Sequence, residues 1–237
     1  MTPTLLLFDI DGTLIDTGGA GRRGLLRAFR EVFGVADIEV RAAAVRLGGK
    51  TDPAIIAEMA LAAGVIPADV EARFAELRRA YLGALEDELL RGDPAARRVL
   101  PGVRALLDAL HPRAGVWMGL VTGNIEDGAR AKLATFDLNR YFPDGGFSSD
   151  HPERAEIARI AHERFCRRAE TRFSPERVAV VGDTELDVAC ARANGFRSIA
   201  VASGGVAAER LAEAGAHAVL SDLSDLAEVM RALEPAS

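Results

Sequence analysis

Five short apolar runs punctuate the chain, at residues 5–8, 116–121, 178–181, 198–201 and 218–220. Each is too short for a buried helix. From the second run onward they alternate with stretches of helical character, such as 103–110 and 126–135, and that alternation predicts an α/β fold built on a parallel sheet. A run that is apolar at successive positions reads as a strand buried on both faces. Between about Thr17 and Arg98 the rhythm breaks. Residues 53–63 and 70–90 carry Ala, Leu, Glu and Arg at helical spacing with no convincing strand, which predicts an inserted all-helical domain. The chain is therefore expected to divide into a core of residues 1–16 plus 99–237 and an insert of residues 17–98. Gly18-Gly19-Ala20-Gly21 on entry, and Gly92-Asp93-Pro94 with Leu100-Pro101-Gly102 on exit, supply turn chemistry for two hinges on which a lid could swing.

Composition narrows the function classes. The chain has 237 residues, 49% of them hydrophobic and 27% charged, which suits a folded globular protein and not a disordered one. A formal charge of −6 argues against nonspecific binding to nucleic acid or to an anionic membrane, so neither partner is expected. With no long apolar span and no signal-peptide pattern at the N-terminus, a cytoplasmic protein is expected, as a monomer or homodimer. Cys166 and Cys190 have neither a CxxC pattern nor a partner histidine, and they read as free, inert thiols. Trp117 lies inside a strand run and reads as core, and His151 is a candidate for the mouth of the site.

The candidate chemistry lies where the strands end, which is where open α/β sheets bind ligands. The first run leads into Asp9-Ile10-Asp11-Gly12-Thr13. Side chains two apart on an extended chain share a side, so both carboxylates are expected to face one point, where their repulsion calls for a cation or a shared proton. We read a metal there. Leu120-Val121-Thr122-Gly123-Asn124 then offers a hydroxyl, backbone N–H groups and an amide ahead of a helix, the makings of an anion site. Gly182-Asp183-Thr184-Glu185-Leu186-Asp187 adds two carboxylates four apart, on one helical face. An anion such as phosphate also needs a fixed cation. The chain has two lysines. Lys132, six residues into its helix and roughly 9 Å along the axis, is set aside as too far, and Lys50 belongs to the insert. Arg154 begins the helix that leads towards the Asp183 strand, and its fork can hold phosphate oxygens bidentately.

This ensemble resembles the haloacid dehalogenase superfamily of phosphotransferases over nearly the whole chain. The DxDGT signature stands as Asp9 to Thr13, the strand-end threonine as Thr122, and the acidic GDxxxD motif as Gly182 to Asp187. The usual motif-three lysine is absent, and Arg154 takes its place by position. The resemblance implies a Rossmann-like core with a helical cap inserted after the first motif. Within the superfamily, the cap's location and Gly49-Lys50-Thr51-Asp52 look similar to phosphoglycolate phosphatases. The implied reaction is Mg²⁺-dependent hydrolysis of a small phosphomonoester, a phosphoglycolate-like compound or a sugar phosphate. Asp9 is the implied nucleophile and Asp11 the acid/base, with Mg²⁺ held by Asp9, the Asp11 backbone carbonyl and Asp183, and with Asp187 acting through water or by orienting the ligands. Thr122, Gly123, Asn124 and Arg154 would clamp the phosphate, and Lys50 with Arg22 or Arg23 would read the far end of the substrate.

Each piece also has an ordinary reading: an Asp-Gly turn, helix caps at Asp183 and Thr122, solvated cations in the insert. Their coincidence at three strand ends favours function. A sugar phosphomutase is the alternative on the same scaffold. A dehalogenase has no use for a leaving-group acid at Asp11, and a non-enzymatic phosphate sensor has no use for a large lid.

Overall fold

The computed structural model describes residues 3–234. Strands β1 (Thr4–Phe8) and β2 (Ile15–Asp16) lead into five helices: α1 (Ala20–Phe33), α2 (Ile38–Arg41), α3 (Asp52–Ala63), α4 (Pro67–Ala72) and α5 (Phe74–Arg91). The chain returns through β3 (Arg98–Val99), α6 (Val103–Leu110), β4 (Val116–Val121), α7 (Glu126–Ala134) and β5 (Gly145–Gly146). It continues with α8 (Arg154–Arg168), β6 (Val178–Gly182), α9 (Glu185–Ala193) and β7 (Arg197–Val201), and ends with α10 (Ala208–Glu213), β8 (Ala218–Leu220) and α11 (Leu226–Leu233).

All five apolar runs are strands of one parallel sheet, in the order β5-β4-β1-β6-β7-β8. The fold is α/β, as the alternation predicts. Strand side chains alternate between faces, and the core divides accordingly. Leu6, Phe8, Leu120 and Val181 pack with α6, α7 and α11 on one face, whereas Leu5, Leu7, Val121 and Val180 pack with α8 and α9 on the other. After β5 the chain crosses from one side of β1 to the other, so the ends of β1, β4 and β6 border a topological switch point, where such sheets bind ligands.

Helices α1 to α5 have an apolar core of their own, built around Phe29, Ile56, Leu77 and Leu85. Their entry and exit are tied together by the antiparallel pair β2 and β3, which sequence reading missed because two-residue strands carry no periodicity. Gly18 and Gly19 on the entry side both adopt the left-handed conformation. The single helix expected over 70–90 is instead two, broken at Arg73, whose backbone (φ −110°, ψ 15°) departs from helical values. α4 buries no side chain, while α5 turns Leu77, Tyr81, Leu85 and Leu89 inward. Trp117 packs edge-on against Phe165 and Phe173, and both cysteines are free.

Candidate active site

The chain leaves β1 at Asp9, whose N–H still donates to the Val181 carbonyl of the neighbouring strand (2.9 Å). It then folds back tightly: the N–H groups of Leu14 and Ile15 both donate to the Ile10 carbonyl. Gly12 makes this turn with φ +84°, and a Cβ there would lie 2.4 Å from Asp183 Oδ2. Only glycine accommodates both the angle and the approach. β6 ends the same way, with Asp183 just beyond it and Thr184 starting α9 in a reciprocal capping box with Asp187.

These strand ends gather Asp9, Asp183 and Asp187 into one buried cluster, each offering a carboxylate oxygen within 4.8 Å of the others. Arg154, the first residue of α8, reaches in with Nη2 3.0 Å from Asp9 Oδ1 and 2.5 Å from Asp187 Oδ1. Thr13 donates to Asp183 Oδ1 (3.0 Å). Burial raises the Asp9 pKa, with Asp187 and Asp11 adding to the rise and Arg154 opposing it. Burial, then the charges of Asp9 and Asp187, raise that of Asp183. Burial works against the Arg154 charge, but Asp187 and Asp9 outweigh it and push its pKa up. Three carboxylates thus face one guanidinium. A hard divalent cation with oxygen ligands matches that donor set and relieves the excess charge, so the cluster could hold a metal.

Asp11 goes elsewhere. The expectation that both carboxylates of the DxD pair face one point holds only for a chain that stays extended, and here the turn intervenes. Asp11 Oδ2 accepts from Asn124 Nδ2 (2.8 Å) and from Lys132 Nζ (2.6 Å). Lys132 also donates to Asn124 Oδ1 (2.6 Å), and Asn124 Nδ2 donates to the buried Thr122 Oγ1 (2.8 Å). Setting Lys132 aside was therefore an error. Helical side chains lean towards the helix N-terminus, and its long stem runs back over the turn that axial rise alone places out of reach. The signal available in the sequence was its rarity, as one of two lysines in the chain; in the structure it is 4% exposed.

A cavity of about 230 Å³ joins these groups, lined by Asp9, Asp11, Thr122, Asn124, Lys132 and Arg154 among others. Gly123, Lys50 and Arg22 also line it. Lys50 is paired with Glu58 (2.6 Å), and Arg22 donates to the Val45 (2.8 Å) and Ala42 (2.7 Å) carbonyls. Arg23 does not belong to the lining. It turns to Glu88 (2.6 Å) and the Gly18 carbonyl (2.6 Å), because successive helix residues point about 100° apart. His151 is likewise outside the lining, its Nδ1 accepting from the Glu153 N–H (3.0 Å). The helical insert also contributes Tyr81 and Asp52 to the lining, both buried; sequence reading missed Tyr81 and noted Asp52 only within the stretch 49–52, without a role. Burial raises the Asp52 pKa to about 6, against the pull of Lys132 and of the Ile125 N–H.

The chain is 29% identical over 212 residues to a protein of Mycobacterium tuberculosis named tyrosine-protein kinase PtkA, covering 86% of this chain and 63% of that protein's length. It is 28% identical over 236 residues to a phosphoglycolate phosphatase of Pseudomonas fluorescens, covering 94% and 78%. Among solved structures, a predicted phosphoglycolate phosphatase from Haemophilus somnus superposes with a TM-score of 0.69 at 16% identity, covering 97% of this chain and 99% of the other, a likeness of fold. Among the described residues, no helix is long and apolar enough to cross a membrane. The model of the haloacid dehalogenase-like hydrolases matches residues 3–195, and the chain belongs to that family.

Proposed function

We propose that the protein is a Mg²⁺-dependent phosphatase that hydrolyses a small phosphomonoester through an aspartyl phosphate on Asp9, with residues 17–98 acting as a cap over the site. The observation that carries this reading is the division of labour around the DxD turn: Asp9 joins the buried carboxylate cluster under Arg154, and Asp11 is held separately by Asn124 and Lys132. A nucleophile and a proton carrier need this separation, because they must hold opposite protonation states at one step.

Asp9 attacks phosphorus in line. The bond from phosphorus to the leaving oxygen breaks, and Asp11 gives its proton to that oxygen. Asp11 then takes a proton from the water that attacks the phosphorus of the aspartyl phosphate, which frees phosphate and restores the Asp9 carboxylate. Asp9, the Asp11 backbone carbonyl and Asp183 would hold the Mg²⁺, which when bound offsets the charge of the phosphoryl oxygens. Asp187, engaged by Arg154 and by its own capping box, orients the cluster. Thr122, the N–H groups at Gly123 and Asn124, and Arg154 hold the equatorial oxygens. Arg154 Nε is buried with no hydrogen-bond partner, a donor that an anion would satisfy. The size of the cavity and the phosphoglycolate phosphatase relative support a small substrate, phosphoglycolate-like or a sugar phosphate.

A second reading is transfer of the phosphoryl group to an acceptor hydroxyl in place of water, as in a phosphomutase. It is favoured by the mycobacterial relative, which is named a kinase. Product analysis with a panel of phosphomonoesters, in Mg²⁺ and in chelator, decides between them. Hydrolysis accumulates free phosphate, whereas transfer accumulates an isomer or a phosphorylated acceptor.

A further inference from the structure

We propose that Asp52 is a positioning residue that latches the helical insert onto the turn between β4 and α7, completing the N-terminal cap of α7 from outside the core. The residue at that cap is Ile125, which has no side chain able to accept a hydrogen bond, and the third residue of the helix, where a capping box would place an acid, is Gly128. Asp52 supplies the missing acid. Its Oδ2 accepts from the Ile125 N–H at 2.8 Å, while its own N–H donates to the Gly123 carbonyl at 2.7 Å. The contact is two-way, and the backbones meet closely: a Cβ on Gly123 would lie 2.1 Å from the Lys50 carbonyl oxygen. Next to it, Arg154 donates to the Gly49 carbonyl (3.2 Å), so the loop ahead of α3 is held at both sides of the cavity.

The ordinary role of Asp52, a first-turn acid favouring the dipole of α3, requires none of these contacts. α3 already has a cap in Thr51, which accepts from the Ala54 N–H (3.4 Å). What the latch touches is the segment that reaches Asp11. Asn124 precedes Ile125, Lys132 rides on α7, and both donate to Asp11 Oδ2. Seating the insert therefore sets the groups that orient Asp11. On the phosphatase reading, the acid/base is aligned only when the cavity is covered, which couples exclusion of bulk water to chemistry.

The test compares the full-length wild type, Asp52→Asn and Asp52→Ala by hydrogen exchange at the Ile125 amide in Mg²⁺ and by steady-state phosphate release from an aryl phosphate. In Asp52→Ala, Ile125 exchange should rise at least about tenfold, as loss of a hydrogen bond to a charged acceptor implies. Amides in β1 and β6 should be unchanged, and kcat should fall by a larger factor than KM rises. Asp52→Asn keeps an acceptor oxygen and should fall between wild type and Ala, and it carries the test if Asp52→Ala does not fold. Unchanged Ile125 exchange would overturn the proposal, as would α3 amides accelerating in step with Ile125, the mark of a plain first-turn acid. The inference for catalysis rests on the phosphatase reading. Absence of phosphate release from the wild type would count against that reading alone, while the exchange result still decides the latch.

Discussion

Arg154 and Lys132 enter the same cavity from two helices, but they are held in different ways. Arg154 is the first residue of α8 and bridges two buried carboxylates, Asp9 and Asp187. Lys132 lies in the second turn of α7 and meets Asp11, whose side chain is 42% exposed. One cation neutralises a buried cluster at the wall of the cavity, and the other orients a carboxylate that is partly exposed. Charge balance sets the Asp9 side of the DxD turn, and aim sets the Asp11 side.

The largest effect should come from breaking the buried side. Arg154→Met leaves the Asp9 and Asp187 charges without their counter-ion, and loss of one partner of a buried pair costs about 3–5 kcal/mol. Denaturant unfolding in chelator should show that loss, Mg²⁺ should recover part of it, and phosphate release should fall by about 10²–10³-fold.

The pH dependence of stability sharpens the comparison on the other side. The folded protein raises the Asp52 pKa from 3.8 to about 6 and so binds the proton more tightly than the unfolded chain does. That contribution makes stability fall as pH rises from about 4 to about 6, by up to about 3 kcal/mol, and then level off. Unfolding of Asp52→Asn across this range should lose that share of the slope. Lys132→Met, which removes the opposing charge, should extend the fall to higher pH.

Lys132→Met should also lower phosphate release by roughly 10-fold to 10²-fold through misorientation of Asp11. Its effect on the unfolding midpoint should be much smaller than that of Arg154→Met, because Asp11 can be rehydrated. Equal losses of stability in the two variants would break the comparison. The smallest effect is expected for Arg23→Ala, whose partners lie outside the cavity: kcat/KM should change by less than about twofold, within the range of a surface ion pair.

The two cations also show what the sequence makes legible. Arg154 could be placed because it starts a helix, where position along the chain fixes position in space. The same holds for Asp9, Thr122 and Asp183, each beside the end of an apolar strand. Lys132 was missed because reach inside a helix depends on the direction and length of the side chain, which residue spacing does not encode. The contact of Asp52 was hidden for another reason: its partners at Gly123 and Ile125 are about 70 residues away in the chain, and a first-turn acid looks the same whether or not a distant segment packs on it. The β2 and β3 pair escaped because two residues cannot show a period.

The most direct test of the account is steady-state phosphate release from an aryl phosphate by wild type and Asp9→Asn, each in Mg²⁺ and in chelator. Turnover is expected from the wild type in Mg²⁺ alone, with Asp9→Asn reduced by at least about 10⁴-fold, as loss of a nucleophile implies. Comparable release by Asp9→Asn, or undiminished wild-type release in chelator, would contradict it.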